Sequence, residues 1–553
     1  MLPTRPIQVN GDLCLEVFVL GIKSSNIKPV EVSHAGKNKR ELPEKPDLRP
    51  LLDEVKHRVK KGEFKKTQAA HHAIAREFGF ASWPRLKQFI LVMGADMHAR
   101  AGALVKAACS GDMVLANALL AADPRLAVFD LYTCCVAGEV VAVGLRLEKD
   151  PDAARHKGGP LDWQPILYCC FSRFLRTDKT RASDIVEIVK VLMAVHADPN
   201  SHFFVDEDGH QVVQTPLLGA AGMANNPALT KLLLEAGADA NELMGDPHDS
   251  DAPQMLESPA LHHACEFGDM ACLKLLLEAK PNPRRISYCL GRALDFKNPE
   301  PAMLFLEHGA DPNFRIPWQH NRTHLHKAVM QGRDPKLIEK MISCGGDVKA
   351  ADGRGFTSYR FATRFGHDEI RTLLEKHGAS TSDATAEDQA LFSCVHGQES
   401  GAWIASADEA ADVLCAAAGR NDVNAVKRLL DAGVSASVSG GEDETPALHF
   451  AAWRGQLEAA KLLVEKGASL TQKNVYGVDA LTTAIHGSFN CQDPEGGSGM
   501  KLPEEISHGQ YPALVEMLIG AGAQLPPKIW GGSEAVQEVL RAHGVPDEIE
   551  SEA

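Results

Sequence analysis

The sequence predicts an all-α protein in which helical hairpins stack on one another to form a solenoid. Two observations predict this fold. One stretch, Thr445–Leu470, has the spacing of a complete helical hairpin, and the short turn that closes this hairpin recurs along most of the chain. The length of 553 residues agrees, because a chain this long exceeds a single compact core and forms either several domains or an elongated array.

The best-formed hairpin reads T-P-A-L-H-F-A-A-W-R-G-Q-L-E-A-A-K-L-L-V-E-K-G-A-S-L. Its first helix carries Leu448 on the apolar side and ends at a turn at Gly455. A longer second helix contains Leu463 and stops at Gly467, since glycine adopts the left-handed conformation that closes helices. A hairpin this small cannot bury its apolar face alone, so its stability has to come from stacking on neighbours.

The closing turn of this hairpin recurs in variants of G-A-D-P-N. Successive copies are 29 to 55 residues apart, so insertions decorate the array. Two copies carry Lys280 and His196 where the others carry glycine, and we expect both hairpins to be locally less stable. The copies begin at His196, Gly237, Lys280, Gly309, Gly345, Gly378, Gly433, Gly467 and Gly522.

These hairpins resemble ankyrin repeats, whose usual form is T-P-L-H-x-A-A, then G-H, a Leu triplet and G-A-D. Ankyrin repeats have a period of about 33 residues. The resemblance covers roughly residues 100–545 and implies an ankyrin-repeat solenoid of about eleven helix pairs with irregular insertions. In that family the His of the Leu-His step hydrogen-bonds within and between repeats, which implies the same role for His262, His326 and His449.

A helical leader is predicted ahead of the array, at residues 48–98. Apolar residues at helical spacing begin at Leu48, a second helix is closed by Gly79, and Ser82 caps a third. The run from Ala73 to Lys87, A-I-A-R-E-F-G-F-A-S-W-P-R-L-K, resembles a segment that precedes ankyrin arrays in many bacterial proteins. This second resemblance implies a bacterial source.

Composition and repeat intervals divide the chain further. Residues 1–47 are rich in proline without helical periodicity, which predicts disorder. Two polar stretches rich in Asp, 202–214 and 243–257, are predicted to be inserted loops. The remaining predicted segments are a first repeat block at 99–381, a linker with a short helix at 382–410, a second block at 411–545 with an insertion at 489–510, and an acidic tail at 546–553.

Charge and cysteine content bound the class of partner. The formal net charge is −15, and residues 1–100 hold 18 Lys+Arg against 11 Asp+Glu, a balance of +7, so residues 101–553 carry −22. Phosphates would be repelled over most of such a surface, which makes nucleic acid an unlikely partner. The cysteines lie singly or in adjacent pairs within apolar runs, typical of reduced core residues and a cytoplasmic location. No apolar run reaches the about 18 residues of a membrane span, and we expect a monomer.

No catalytic motif is found. The chain lacks G-x-x-x-x-G-K-[ST], H-E-x-x-H and G-x-S-x-G, so we predict a chain that is not an enzyme and holds no cofactor or metal. His262 and His263 with Cys265 and Cys272 offer zinc-like ligands, but the two cysteines fall at core positions of a repeat, which favours packing.

A protein partner is therefore predicted, bound on the concave surface that repeat stacking creates. The ankyrin resemblance places variable contact residues between the Ala pair and the turn of each first helix. Trp453 beside Arg454 is the leading candidate, because aromatic and Arg side chains often anchor interfaces; the alternative is that Trp453 packs on the adjacent repeat. The full set is Glu266, Phe267, Met330, Gln331, Arg364, Phe365, Gly419, Arg420, Trp453 and Arg454.

Two other functions stay open at this stage. The chain could be an effector or toxin-like enzyme with an unrecognised site in the N-terminal region or the insertions. It could also be a regulatory module whose basic run at residues 49–66, with seven Lys+Arg, contacts nucleic acid. The alternative for that run is a solvated helix face lying against the acidic array of the same chain.

Overall fold

The computed structural model describes residues 40, 42–43, 46–64, 67–80, 83–207, 210–241, 259–266, 270–295, 298–316, 319–398, 407–440, 445–490 and 510–546. The leader forms three helices, α1 (Leu48–Lys60), α2 (Thr67–Glu77) and α3 (Trp83–Gly94). The next helices are α4 (Met97–Ser110), α5 (Met113–Ala122), α6 (Leu131–Ala137), α7 (Val140–Lys149), α8 (Pro165–Phe171), α9 (Phe174–Thr177), α10 (Lys179–Ala194) and α11 (Pro227–Glu235).

The helices continue through the rest of the array. They are α12 (Pro259–Ala264), α13 (Ala271–Glu278), α14 (Pro283–Ala293), α15 (Glu300–Glu307), α16 (His324–Met330), α17 (Pro335–Ser343), α18 (Ser358–Arg364), α19 (Asp368–Lys376), α20 (Ala386–His396), α21 (Ala407–Gly419), α22 (Val423–Asp431), α23 (Ala447–Trp453), α24 (Leu457–Glu465), α25 (Ala480–Asn490), α26 (Tyr511–Gly520) and α27 (Glu534–Ala542). A π-helix occupies Leu218–Met223, and short 3-10 helices occupy Pro124–Val128, Pro151–Ala154 and Thr381–Asp383.

The strands form short antiparallel pairs. In the described residues β1 (Phe203–Glu207) pairs with β2 (His210–Gln214), β3 (Arg315–Ile316) with β4 (Arg322–Thr323), and β5 (Ser439–Gly440) with β6 (Thr445–Pro446). The prediction of a polar loop at 202–214 is wrong, because β1 and β2 form a hairpin there. Its apolar residues anchor it: the Phe203 ring stacks on Trp163 with 4.0 Å between ring centroids, and Val212 is buried.

Stacking follows two rows. First helices of successive hairpins pack on each other, as α12 on α14, α14 on α16 and α21 on α23, while second helices pack in a parallel row, as α15 on α17 and α17 on α19. The first row is close because small residues lie at the contacts: Ala417, Ala418, Ala451 and Ala452 are fully buried. The prediction of an all-α ankyrin-type fold is confirmed, while the number of repeats stays a prediction.

The turns that close the second helices have the predicted conformation. Gly237, Gly309 and Gly467 have φ values of 92°, 89° and 88°. Lys280 and His196 take up the same left-handed region, at φ 55° and 65°, where a side chain is unfavourable by about 1 kcal/mol or more.

Lys280→Gly is therefore expected to raise the free energy of unfolding by about 1 kcal/mol, because glycine removes the strain of a left-handed Lys. Urea denaturation followed by circular dichroism measures the change. Lys274→Gly is the matched control: this Lys is exposed within α13, where glycine should cost about 1 kcal/mol instead. Equal effects of the two substitutions would contradict the strain at Lys280.

Two of the three Leu-His histidines show the bonds that the resemblance implies. Thr323 N donates to His326 Nδ1 over 3.0 Å within one repeat, and His326 Nε2 bonds Ala350 O over 2.9 Å across the turn that follows the hairpin. His449 Nε2 bonds Val478 O of the next repeat over 3.0 Å. These histidines are buried structural groups that tie each first helix to the next turn.

Ion pairs hold the first two helices of the leader together, while the predicted cap Ser82 lies outside the described residues. Arg58, inside the basic run, lies 2.6 Å from Glu77, and Arg40 lies 2.7 Å from Glu54. Arg40 falls in the segment predicted to be disordered, most of which lies outside the described residues. The leader also contacts the array at both ends: Arg85 donates to Asp112 over 3.0 Å, and Arg76 donates to Glu538 of α27 over 3.0 Å.

The predicted short helix of the 382–410 linker exists as α20. It packs against α18 on one side and α22 on the other. His396 Nε2 bonds Gly366 O over 3.1 Å, and Arg428 Nη1 of α22 donates to Val395 O over 2.7 Å. The helix therefore links the repeats before it to those after it. The insertion at 243–257, most of that at 489–510 and the tail from residue 547 lie outside the described residues.

Candidate partner-binding surface

The predicted contact positions lie where first helices end. Met330, Arg364 and Trp453 are the last residues of α16, α18 and α23. A left-handed residue follows each helix end within two positions, as at Gly332, where φ is 61°, and Gly455, where φ is 66°. The chain reverses there and presents the residues before the turn along one edge of the stack.

A cleft of about 340 Å³ opens along this edge, between the end of α16 and the ends of α21 and α23. Its described lining is Asp295, Gln319, Arg322, Lys327, Met330, Gln331, Arg333, Phe365, Asp412, Cys415, Ala416, Gly419, Arg420, Phe450 and Arg454.

Most of the predicted contact residues meet in this cleft. Met330, Gln331, Arg420 and Arg454 line it and are partly exposed. Phe365 also lines it, although its side chain is largely buried. Gly419 forms part of the wall, and the Cβ of an alanine there would lie 3.8 Å from Arg454 Cδ. These residues come from the first-helix ends of four hairpins.

The predicted exposure of Glu266 and Arg364 is wrong. Glu266 is 2% exposed and accepts from Arg292 Nε over 2.6 Å. Burial raises the pKa of Glu266, but the nearby charges of Arg292 and His263 outweigh it and hold that pKa at about 2. Arg364 is 3% exposed, and its Nη1 donates to Asp388 Oδ1 over 2.7 Å. Both charges are neutralised within the protein and serve folding.

Trp453 is exposed, with 38% of its surface accessible. The Trp453 carbonyl accepts a 2.7 Å hydrogen bond from the Tyr511 hydroxyl, which fixes the backbone. The indole lies outside the lining of the cleft, next to Arg454, which is part of it. Phe267 lies outside the described residues.

Several lining residues were missed by the sequence reasoning. Lys327, Ala416 and Phe450 lie four residues before Gln331, Arg420 and Arg454. Residues four apart share a helix face, so the helical period could have identified this second tier. Arg322 lies in β4 and Arg333 in the turn between α16 and α17, and the repeat pattern gave no signal for them.

The cleft is rich in cationic side chains. Lys327 Nζ lies 2.8 Å from Asp295 Oδ1, and Arg333 Nη2 donates to the Asp295 carbonyl over 3.3 Å. Arg420 acts on His367 beside the cleft: burial first, and then the Arg420 charge, lowers the pKa of His367 to about 4. This histidine is therefore neutral at physiological pH, and the charge of the cleft comes from its Lys, Arg and Asp side chains.

Metal ligation finds no support in the part of the chain that the structure describes, where no three His, Cys, Asp or Glu side chains come together to hold an ion. Cys265 and Cys272 are buried in the core, at the positions that the repeat pattern predicts. Burial also raises the pKa of the Cys109 and Cys134 thiols to about 12. Among the described helices, none has the length and apolar character needed to cross a bilayer.

The fold defines a class, that of helical-repeat solenoids. Comparison with known families gives the repeat type. A family model described as ankyrin repeats, in three copies, matches residues 401–474, and an ankyrin repeat model matches residues 258–286. The chain therefore contains ankyrin repeats, which are protein-protein interaction modules.

Individual proteins are similar over part of the chain. The E3 ubiquitin-protein ligase KEG of Arabidopsis thaliana is 25% identical over 296 residues, which cover 51% of this chain but only 16% of that protein. The crystal structure of the human ASB11 ankyrin repeat domain is 19% identical with a TM-score of 0.24, and the match covers 57% of this chain and 100% of that domain.

Proposed function

We propose that this chain is a non-catalytic scaffold that holds a partner protein along its concave face, in the cleft between α16, α21 and α23. The observation that carries the proposal is the convergence of Met330, Gln331, Arg420 and Arg454 from separate repeats on one cleft. Interfaces commonly concentrate their binding energy in a few aromatic and Arg residues near a pocket. Trp453 at the edge and Arg454 in the lining fit that role.

The described cysteines are mostly buried and none is paired in a disulfide. This state suits a reducing compartment, so we propose a cytoplasmic location. We also propose that the scaffold is a monomer. The ligase activity in the name of the Arabidopsis relative is not proposed here, because the similarity spans only 16% of that protein.

The ion pairs of Arg58 and Arg40 weigh against the leader as a nucleic-acid contact, since these cations are already matched by carboxylates of the leader. The structure thus favours the reading in which the basic run is part of the protein's own surface.

Substituting both Trp453 and Arg454 by Ala tests the proposal. We expect capture of the partner from a lysate of the source organism to fall about tenfold or more, because two anchor side chains are lost. The melting temperature should change by no more than about a degree, since an exposed indole supports little of the core. Quantitative mass spectrometry of proteins retained by the immobilised full chain gives the readout.

The matched control replaces Leu145 and Lys149, an exposed apolar residue and an exposed cation on the second helix α7. This pair should leave capture unchanged. Equal retention by both double variants, or a large drop in melting temperature for Trp453→Ala with Arg454→Ala, would show that the surface is not the binding site.

A further inference from the structure

We propose that the partner segment held in the cleft is acidic and carries apolar side chains between its carboxylates. This inference rests on the proposed function and assigns the chemistry of the partner. The lining holds five cationic and two anionic side chains, a local balance of +3, on a chain whose formal net charge is −15. The cations are Arg322, Lys327, Arg333, Arg420 and Arg454, and the anions are Asp295 and Asp412.

The two carboxylates of the lining do not reverse this balance. Asp295 lies 2.8 Å from Lys327, and Asp412 lies 3.8 Å from Arg354. Outside the lining, the buried Asp352 carboxylate lies 3.5 Å from both Arg354 and Arg322. Arg354 and Asp352 therefore cancel, and the local balance stays at +3. The protein is acidic as a whole but positively charged in this cleft. The cleft therefore attracts an anionic segment of a partner and repels a basic one.

Partial burial makes these charges effective. The Lys327 side chain is 14% exposed, and Arg420 and Arg454 are partly exposed. Arg322 and Arg333 are buried and bonded within the protein, so they add charge beneath the cleft but no contact with a partner. Charges in such a setting are screened less by salt than surface charges are. Guanidinium groups also offer paired N–H donors that match a carboxylate in two parallel hydrogen bonds. Two of the three partly exposed cations are Arg, which suits recognition of Asp and Glu side chains.

Apolar side chains complete the surface. Met330, Phe450 and Ala416 are partly exposed and lie among the cations. They offer contact area for Leu-sized side chains between the carboxylates of the partner. Phe365 is only 4% exposed, so its ring adds little to this contact area. Cations next to partly exposed apolar side chains suit an acidic peptide that also carries apolar residues.

The test uses the full chain and a short fluorescein-labelled peptide in which Glu and Leu residues are separated by Gly. Fluorescence anisotropy should show binding that weakens as the salt concentration rises. A copy with Gln in place of every Glu should bind about tenfold more weakly or worse, because the charge is lost while the apolar contacts remain. Similar affinities for the Glu and Gln peptides would overturn the proposal.

Variants locate the binding. Arg420→Gln with Arg454→Gln should weaken the Glu peptide about tenfold, and Arg420→Glu with Arg454→Glu should abolish measurable binding. Lys274→Glu with Lys336→Glu makes the same change in net charge at exposed positions of α13 and α17 and should leave binding unchanged. Circular dichroism confirms that each variant is folded. Equal losses in the cleft and control variants would overturn the proposal.

Two further outcomes separate this inference from the proposed function. If a single-stranded oligonucleotide binds through the same Arg residues more tightly than the Glu peptide, the partner class is wrong. If the Glu peptide fails to bind while lysate capture still depends on Trp453 and Arg454, the scaffold function stands and only its acidic partner is excluded. If capture is also independent of those residues, the proposed function itself fails.

Discussion

Replacing Asp388 by Ala is expected to lower the free energy of unfolding by about 3–5 kcal/mol, the cost of leaving buried charges without a partner. The Asp388 side chain is fully buried in α20 and accepts from Arg360 Nε and Arg364 Nη1, each over 2.7 Å. It also accepts from its own helix start, at Thr385 N, over 2.8 Å. Removing the carboxylate leaves two guanidinium groups in the interior and uncaps the helix.

The effect should be visible in the shape of the transition as well as its midpoint. The helix α20 is packed between α18 and α22, so loosening it uncouples the repeats before it from those after it. Stacked repeats are stabilised by nearest-neighbour contacts, and a weakened junction should split one urea transition into two. Circular dichroism and tryptophan fluorescence measured on the same samples detect the split.

The control for this experiment is Asp368→Ala. Asp368 forms an exposed pair with Arg371, at 2.8 Å, near the same junction, and exposed pairs contribute at most about 1 kcal/mol. A single transition with an unchanged midpoint in Asp388→Ala, matching the control, would show that the buried cluster does not hold the junction.

Acidification from pH 7 to pH 5 is expected to destabilise the protein strongly. Burial lowers the pKa of His326 and His367 to about 4, and that of His324 to about 3. Between the ordinary value of 6.5 and these values, the unfolded chain binds protons that the folded chain does not, so stability falls as the pH drops. At pH 5 each histidine should account for a loss on the order of 2 kcal/mol.

The bonding of His326 shows why its neutral form is required. Thr323 N donates to Nδ1, so that nitrogen has to carry a lone pair, while Nε2 bonds the Ala350 carbonyl. Protonation of Nδ1 would remove an acceptor and place a charge in the core. The buried carboxylate of Glu266, with its pKa lowered to about 2, is ionised at both pH values and loses its contribution only below about pH 4.5.

Melting curves of the full chain at pH 7 and pH 5 measure this loss. His326→Gln should reduce the difference in unfolding free energy between the two pH values by about 2 kcal/mol, even though it destabilises the fold at both. His57→Gln, at an exposed position of α1, should leave the difference unchanged. A stability that is flat between pH 7 and pH 5 would contradict the neutral histidines.

The sequence by itself determined the repeating unit. Short-range spacing sets the helix pairs, the left-handed turns at Gly237 and Lys280, and the bonds of His326 and His449, because each depends on residues within one hairpin or the next. The same regularity assigned Arg420 and Arg454 to equivalent positions of successive hairpins. Local periodicity is enough for these features.

Only the tertiary structure decided which equivalent positions are exposed. Glu266 and Arg364 occupy the same place in their repeats as Trp453, yet both are buried, because Arg292 of the neighbouring helix α14 and Asp388 of the inserted helix α20 reach them. The cleft likewise is a tertiary feature, because its lining comes from turns and helix ends far apart in the chain. Burial and charge at a helix end follow from the packing of neighbouring elements, and a sequence period carries no information about an element that interrupts it.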